Sequence, residues 1–135
     1  MEIYAEIFSK VTEHAQTPCS RAWFETAGRK LLSVIAANAQ APYCDEEPPT
    51  EQGVMNAMAF LLKVGDTCPN AILPLVHVDM DGNICLTWTD KSNLIRLFVI
   101  ATASSLSVQM LEALQVAKVL SEEQAVVEIH RLLAA

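Results

Sequence analysis

The segment that most constrains the fold runs from residue 74 to residue 101 and reads PLVHVDMDGNICLTWTDKSNLIRLFVIA. Two stretches rich in apolar and β-branched residues flank an Asp81-Gly82 pair, which is typical of a β-hairpin. A third stretch, residues 94–101, is apolar on both faces apart from Arg96 and predicts another strand. The middle of the chain is therefore expected to form an antiparallel sheet.

The register of this hairpin depends on the loop that joins its strands. A two-residue turn at Asp81-Gly82 divides the large apolar side chains between both faces of the sheet, because a shift of one residue moves every side chain to the other face. A three-residue loop, Met80 to Gly82, instead places Val78 opposite Ile84 and creates one apolar face. Such a loop needs a left-handed residue, which Gly82 supplies. We therefore predict the three-residue loop.

The same register places His77, Asp79 and Cys85 on the opposite face, with His77 directly across from Cys85 at about 5 Å between Cβ atoms. A thiol, an imidazole and a carboxylate can act as nucleophile, base and orienting group. However, Asp79 and His77 are about 6–7 Å apart at Cβ because they are two residues apart on one strand. We expect a polar sheet face with no catalytic residue, no metal ion and no cofactor, and an enzyme that uses Cys85 and His77 is the alternative.

Helical periodicity precedes and follows the predicted sheet. Apolar residues repeat at helical spacing in five segments: 2–14, 18–38, 51–64, 104–119, and the residues after the capping-box sequence SEEQ at 121–124. The strands are expected at about 73–79, 84–89 and 94–101. The predicted order is α-α-α-β-β-β-α-α, which favours an α+β fold with a three-stranded antiparallel sheet packed against helices from both ends of the chain.

Length and composition predict a single α+β domain over residues 1–135. No apolar run reaches the roughly 18 residues that a membrane-spanning helix needs, so no membrane association is expected. The N-terminal sequence MEIYAEIFSK lacks the basic and apolar regions of a signal peptide. The cysteines are widely spaced, without a C-x-x-C or zinc-ligand pattern, at positions 19, 44, 68 and 85. A cytoplasmic location with reduced thiols is the expectation.

The third predicted strand raises the question of what covers it. In a three-stranded meander, residues 94–101 lie at a sheet edge, where an apolar strand promotes aggregation unless something covers it or pairs with it. Two alternatives remain open from the sequence. Helices of the same chain cover the strand, or residues 94–101 pair with a second copy in a homodimer.

The chain is acidic, with 16 acidic and nine basic residues and a net charge of −7. Its basic residues are scattered, so direct binding to nucleic acid is not expected. Residues 45–51, here called the acidic segment, lie in a proline-containing loop and at the start of the third predicted helix. Its acidic residues are candidates for binding a basic protein partner: Asp45, Glu46, Glu47 and Glu51. The alternative is an ordinary solvated loop.

A resemblance adds to this interpretation. The sequence PPTEQGVMNAMAFL, followed by a proline-containing spacer and VDMDGNICLTW, resembles small bacterial and mobile-element proteins that carry P-T-x-E before a helix and D-x-D-G-x-I-x-L-x-W on a hairpin. It covers about 40 residues, around positions 48–88. Such proteins are associated with toxin–antitoxin or anti-defence systems. The resemblance implies a protein partner and assigns a functional role to no residue.

Together these patterns favour a small acidic binding protein. The leading hypothesis is a non-enzymatic inhibitor or antitoxin-like factor that occludes the surface of a protein partner. It rests on the acidic balance, on the lack of a recognisable catalytic motif and on the resemblance. The alternatives are the Cys85–His77 enzyme and a small-molecule sensor with a pocket between sheet and helices.

Overall fold

The computed structural model describes residues 2–39, 47–90, 95–112 and 117–134. Three helices precede five strands, and a fourth helix follows them. The elements are α1 (Glu2–Thr12), α2 (Pro18–Ala39), α3 (Glu51–Thr67), β1 (Leu75–Val78), β2 (Ile84–Thr89), β3 (Ile95–Ala101), β4 (Leu106–Glu112), β5 (Lys118–Leu120) and α4 (Glu122–Ala134). The α+β fold with an antiparallel sheet is confirmed, whereas the three-stranded sheet and the predicted order of elements are wrong.

The five strands form one antiparallel meander in the order β1-β2-β3-β4-β5. Strand β3 lies at its centre, because Val99 is paired both with Leu86 of β2 and with Val108 of β4. Its backbone therefore has neighbours on both sides. The edge position predicted for residues 94–101 is therefore wrong, and so is the alternative in which they pair with a second copy; residue 94 itself lies outside the described residues.

The segment predicted as a helix from 104 to 119 contains β4 and β5 instead. Serine residues suit both a helix N-cap and a tight turn, so Ser104 and Ser105 were ambiguous. The structure uses them in the turn between β3 and β4, where the Thr102 hydroxyl accepts hydrogen bonds from both of their backbone amides. Beyond the turn, Val108 and Met110 are buried while Gln109 is exposed, which is strand periodicity.

The predicted hairpin register is confirmed. Val78 pairs with Ile84, and His77 pairs with Cys85. The loop spans Met80 to Gly82, and Gly82 has a φ of 79°, in the left-handed region. The coherent apolar face therefore forms as expected and contributes buried side chains from β1 and β2 to the core.

The helices lie on one face of this sheet. Helices α2, α3 and α4 contact the strands, and α1 and α2 pack against α3. Thr50 caps α3, since its hydroxyl accepts the Gly53 amide hydrogen at an N–O distance of 3.0 Å. Gly65 does not end α3, which continues to Thr67. A Cβ at Gly65 would lie 3.0 Å from the Trp23 ring, so this glycine permits close packing of α2 on α3.

Two tryptophans secure the connection from α3 to β1. The Trp23 indole donates a hydrogen bond to the Ala71 carbonyl at 2.7 Å, and the Trp88 indole donates one to the Ile72 carbonyl at 2.9 Å. Both rings are buried. Their polar N–H groups are therefore satisfied inside the core, and the connection is fixed against both the helical layer and the sheet.

None of the helices in the described ranges is long and apolar enough to cross a membrane. The longest of them, α2, has 22 residues but carries several charged side chains. A spanning helix needs about 20 predominantly apolar residues.

Candidate functional site

The sheet brings His77, Asp79 and Cys85 to one face, as the register predicted. His77 is exposed on β1, and Cys85 is half-buried directly across from it on β2. Among the described residues, no hydrogen bond joins His77 to either Asp79 or Cys85. The three side chains are neighbours, but they are not linked in the chain of hydrogen bonds that a nucleophile, base and orienting group require.

The Asp79 carboxylate is engaged in the hairpin loop. Its Oδ1 atom accepts the Asp81 amide hydrogen at 3.0 Å and the Asn83 amide hydrogen at 2.9 Å, and its Oδ2 atom accepts the Asn83 side-chain amide at 3.2 Å. This is an Asx-type arrangement that closes the loop. Asp79 therefore acts in the loop as a structural residue.

The environment of Cys85 keeps its thiol protonated. Burial raises the pKa of Cys85, and the negative charge of Asp79 raises it further. The thiolate is the nucleophilic form of cysteine, so both effects oppose activation at neutral pH. Within the residues that the structure describes, no group of three or more His, Cys, Asp or Glu side chains is arranged to hold a metal ion.

The acidic segment is described in part. Asp45 and Glu46 lie outside the described residues, whereas Glu47 and Glu51 are exposed. Two hydrogen bonds to its backbone hold the described part of the segment. The Glu47 amide donates to the Met80 carbonyl at 3.2 Å, and the Tyr4 hydroxyl donates to the Pro49 carbonyl at 2.5 Å. Residues 47–49 are thus attached both to the hairpin loop and to α1.

Gly82 lies directly against the backbone of Glu47 and Pro48. A Cβ at this position would lie 2.7 Å from the Pro48 carbonyl oxygen and 3.1 Å from that of Glu47. Glycine is therefore required here for two reasons, the positive φ and the close approach of the two backbones. The hairpin loop therefore packs against the backbone of residues 47–49 and holds it in place.

The two carboxylates of the acidic segment that the structure describes have no basic partner within the described ranges. Among the described residues, neither Glu47 nor Glu51 forms an ion pair, whereas Glu25, Glu122 and Glu128 each pair with a basic side chain. Glu51 also lies close enough to Tyr4 to affect it: burial raises the pKa of Tyr4, and the Glu51 charge adds to this effect. Two exposed carboxylates therefore remain available on an anchored backbone.

A second surface was not predicted from the sequence. The face of the sheet opposite the helices carries a row of side chains that crosses all five strands, here called the central row: Leu75, Thr87, Phe98, Gln109 and Val119. Leu75 is 67% exposed and Val119 is 78% exposed. The sequence signal for this surface was the alternation of apolar and polar residues over 106–110, which is noticed only when that segment is interpreted as a strand.

Comparison of the chain with known protein families, with curated proteins and with solved structures gives no match. The resemblance to mobile-element proteins therefore stays an expectation, and the small-molecule sensor also stays a prediction. The geometry and charge of the described residues are the basis for assigning a function.

Proposed function

We propose that this chain is a non-enzymatic protein-binding module that docks a basic surface of a protein partner through its acidic segment. In this role it acts as an inhibitor or antitoxin-like factor, occluding the surface that it covers. The observation that carries the proposal is the pair of exposed carboxylates, Glu47 and Glu51, which have no ion pair within the described residues and stand on an anchored backbone.

Anchoring favours binding because it reduces the entropy that is lost on association. Ordering a flexible loop at an interface opposes binding, and a segment that is already fixed avoids most of that loss. Residues 47–50 are held by Tyr4, by Met80 and by the cap of α3. Their carboxylates can therefore meet a basic surface with little rearrangement.

Electrostatics supplies the preference for a basic partner. A net charge of −7 attracts basic proteins over a distance and raises the rate of encounter. Unpaired carboxylates at the contact then fix orientation, since each can accept hydrogen bonds from lysine or arginine. Asp45 and Glu46 precede Glu47 in the sequence and add two more negative charges to the segment.

Carbodiimide cross-linking in extracts of the native cells tests the proposal, because this reagent joins carboxylates to lysines that are already in contact. We expect cross-linked peptides in which Asp45, Glu46, Glu47 or Glu51 is bonded to lysines of one basic protein. The matched control is the exposed pair Glu6 and Glu13 on the N-terminal side of the chain, which should give no cross-link to that protein. Cross-links through the control pair, or none through the acidic segment, would contradict the proposal.

A further inference from the structure

The open face of the sheet carries no acidic side chain on its strands in the part of the chain that the structure describes, since Glu112 at the end of β4 lies on the other face with the buried Val108 and Met110, where it pairs with Arg131 of α4. Residues that alternate with the buried ones point to this face, and on β3 they are Arg96, Phe98 and Ile100. Asp79 lies at the rim, just beyond β1, and its carboxylate is bound within the hairpin loop. On a protein with a net charge of −7, this is a surface through which two copies can approach with few opposing carboxylates.

We propose that the open face binds a second copy of this chain, so that two sheets pack face to face around the central row. Two antiparallel sheets commonly pack in this way, about 10 Å apart. The proposal is independent of Glu47 and Glu51, whose backbone is held by the hairpin loop and α1. It also differs from strand pairing at an edge, because β3 contributes side chains and no backbone groups.

The order of residues in the central row suits a two-fold axis. From β1 to β5 the side chains of the row are apolar, hydroxyl, aromatic, amide and apolar, with Phe98 in the middle. Under an axis that runs along the row, each side chain meets its own copy. Leucine, phenylalanine and valine then form apolar contacts, while Thr87 and Gln109 can each both donate and accept a hydrogen bond.

The single arginine of β3 favours this axis over an axis along β3. An axis along β3 would stack Arg96 on the same residue of the second copy, and like charges in contact oppose association. An axis along the central row reverses the strand direction about Phe98, so Arg96 of one copy lies over Ile100 of the other. The aliphatic part of arginine packs against such a side chain while the guanidinium reaches solvent.

The area suits a weak, reversible contact. Five strands at about 4.8 Å spacing, with a mean length of roughly 18 Å, give a face of about 24 Å by about 18 Å. Two such faces total about 860 Å², which lies in the range of weak, transient interfaces below about 1,200 Å². We therefore infer a reversible dimer of the whole chain.

Sedimentation velocity of the purified chain over a range of concentrations tests this inference. Wild type should dimerise as its concentration rises. The double variant Leu75→Asp with Val119→Asp should weaken dimerisation roughly 100-fold or more, because carboxylates would be buried at the interface. Both side chains are largely exposed in the single chain, so the variant should keep its fold. The control Val127→Asp, at a 64% exposed position of α4, adds the same kind of charge elsewhere and should leave dimerisation unchanged.

A second measurement tests the axis. In a Gln109→Cys variant, a short bis-maleimide should link the introduced thiols of two copies, because residues of the central row face their own copies across the sheet spacing of about 10 Å, whereas in Arg96→Cys it should not. A wild-type chain that stays monomeric at its highest soluble concentration would overturn the inference. So would a dimer that Leu75→Asp with Val119→Asp leaves intact. Substituting Glu47 and Glu51 with Gln should leave the dimer unchanged, which separates this result from the test of the proposed function.

Discussion

Tyr4 and Pro49, which lie 45 residues apart in the chain, are joined by a buried hydrogen bond from the Tyr4 hydroxyl to the Pro49 carbonyl oxygen. The bond ties α1 to the residue that precedes the cap of α3. It fixes the backbone next to Glu47 and Glu51, so a residue of α1 that is distant in sequence determines how these two carboxylates are presented.

Replacing Tyr4 with Phe should destabilise the fold by about 1–3 kcal/mol, because the Pro49 carbonyl would be left without its buried partner. The effect should also depend on pH. Burial and the Glu51 charge raise the pKa of Tyr4, so the native state favours the protonated phenol. The stability from this group is complete below the unfolded-state value of about 10 and is lost as the pH rises through the higher native value.

Urea denaturation at neutral and alkaline pH measures both effects. Wild type should lose stability above pH of about 10, and Tyr4→Phe should lose less over the same range. Equal losses of stability in the two proteins would show that the native state does not raise the pKa of Tyr4.

Gly82→Ala should destabilise the protein by about 1–3 kcal/mol, since alanine is strained at a positive φ and its Cβ would contact the Pro48 carbonyl. The matched control is Asp81→Ala, one residue earlier in the same loop, whose exposed side chain should change stability by less than about 0.5 kcal/mol. The free energy of unfolding in urea gives both values. If the two substitutions cost the same, the loop does not support residues 47–49 as described.

The sequence was sufficient to predict the hairpin because two independent constraints agreed there. The alternation of Val76, Val78, Ile84 and Leu86 favoured one register, and Gly82 satisfied the loop that this register needs. Helix α3 was predictable from its cap for a similar reason, since Thr50 is followed by a regular apolar repeat. Local chemistry and periodicity gave the same answer in both places.

The second half of the sheet was not predictable because local signals there were ambiguous. Leu, Gln, Met and Glu favour helix, and Ser104 suits a helix cap as well as a turn. Pairing of Val108 with Val99 decides the outcome, and this contact is specified by tertiary structure alone. The anchoring of the acidic segment by Tyr4 was invisible for the same reason, because no local pattern links the two.

Substitutions in the turn between β3 and β4 test directly whether the residues after Ser104 form a strand or a helix. Thr102→Ala should cost about 1 kcal/mol, because its hydroxyl accepts the amides of Ser104 and Ser105. Ser104→Ala should be nearly neutral, since its exposed hydroxyl makes no hydrogen bond among the described residues. A helix capped by Ser104 would give the reverse order of costs, which thermal or urea unfolding can distinguish.

Thiol labelling tests the assignment of Cys85 as unreactive. In a variant with Cys19 and Cys44 replaced by Ser, the iodoacetamide rate at Cys85 should stay low at neutral pH and rise only above the ordinary cysteine pKa of about 8.5, because the native pKa is raised. His77→Ala should leave this pH profile unchanged. A fast, His77-dependent reaction at neutral pH would instead support the enzyme alternative.

The central claim, that Glu47 and Glu51 bind a basic protein partner, is tested most directly by the salt dependence of affinity for the partner recovered by cross-linking. The double variant Glu47→Gln with Glu51→Gln should bind roughly tenfold more weakly and show a shallower dependence on salt than wild type. The charge-matched control, Glu6→Gln with Glu13→Gln, should bind as wild type does. Equal affinity and equal salt dependence in all three proteins would contradict the claim.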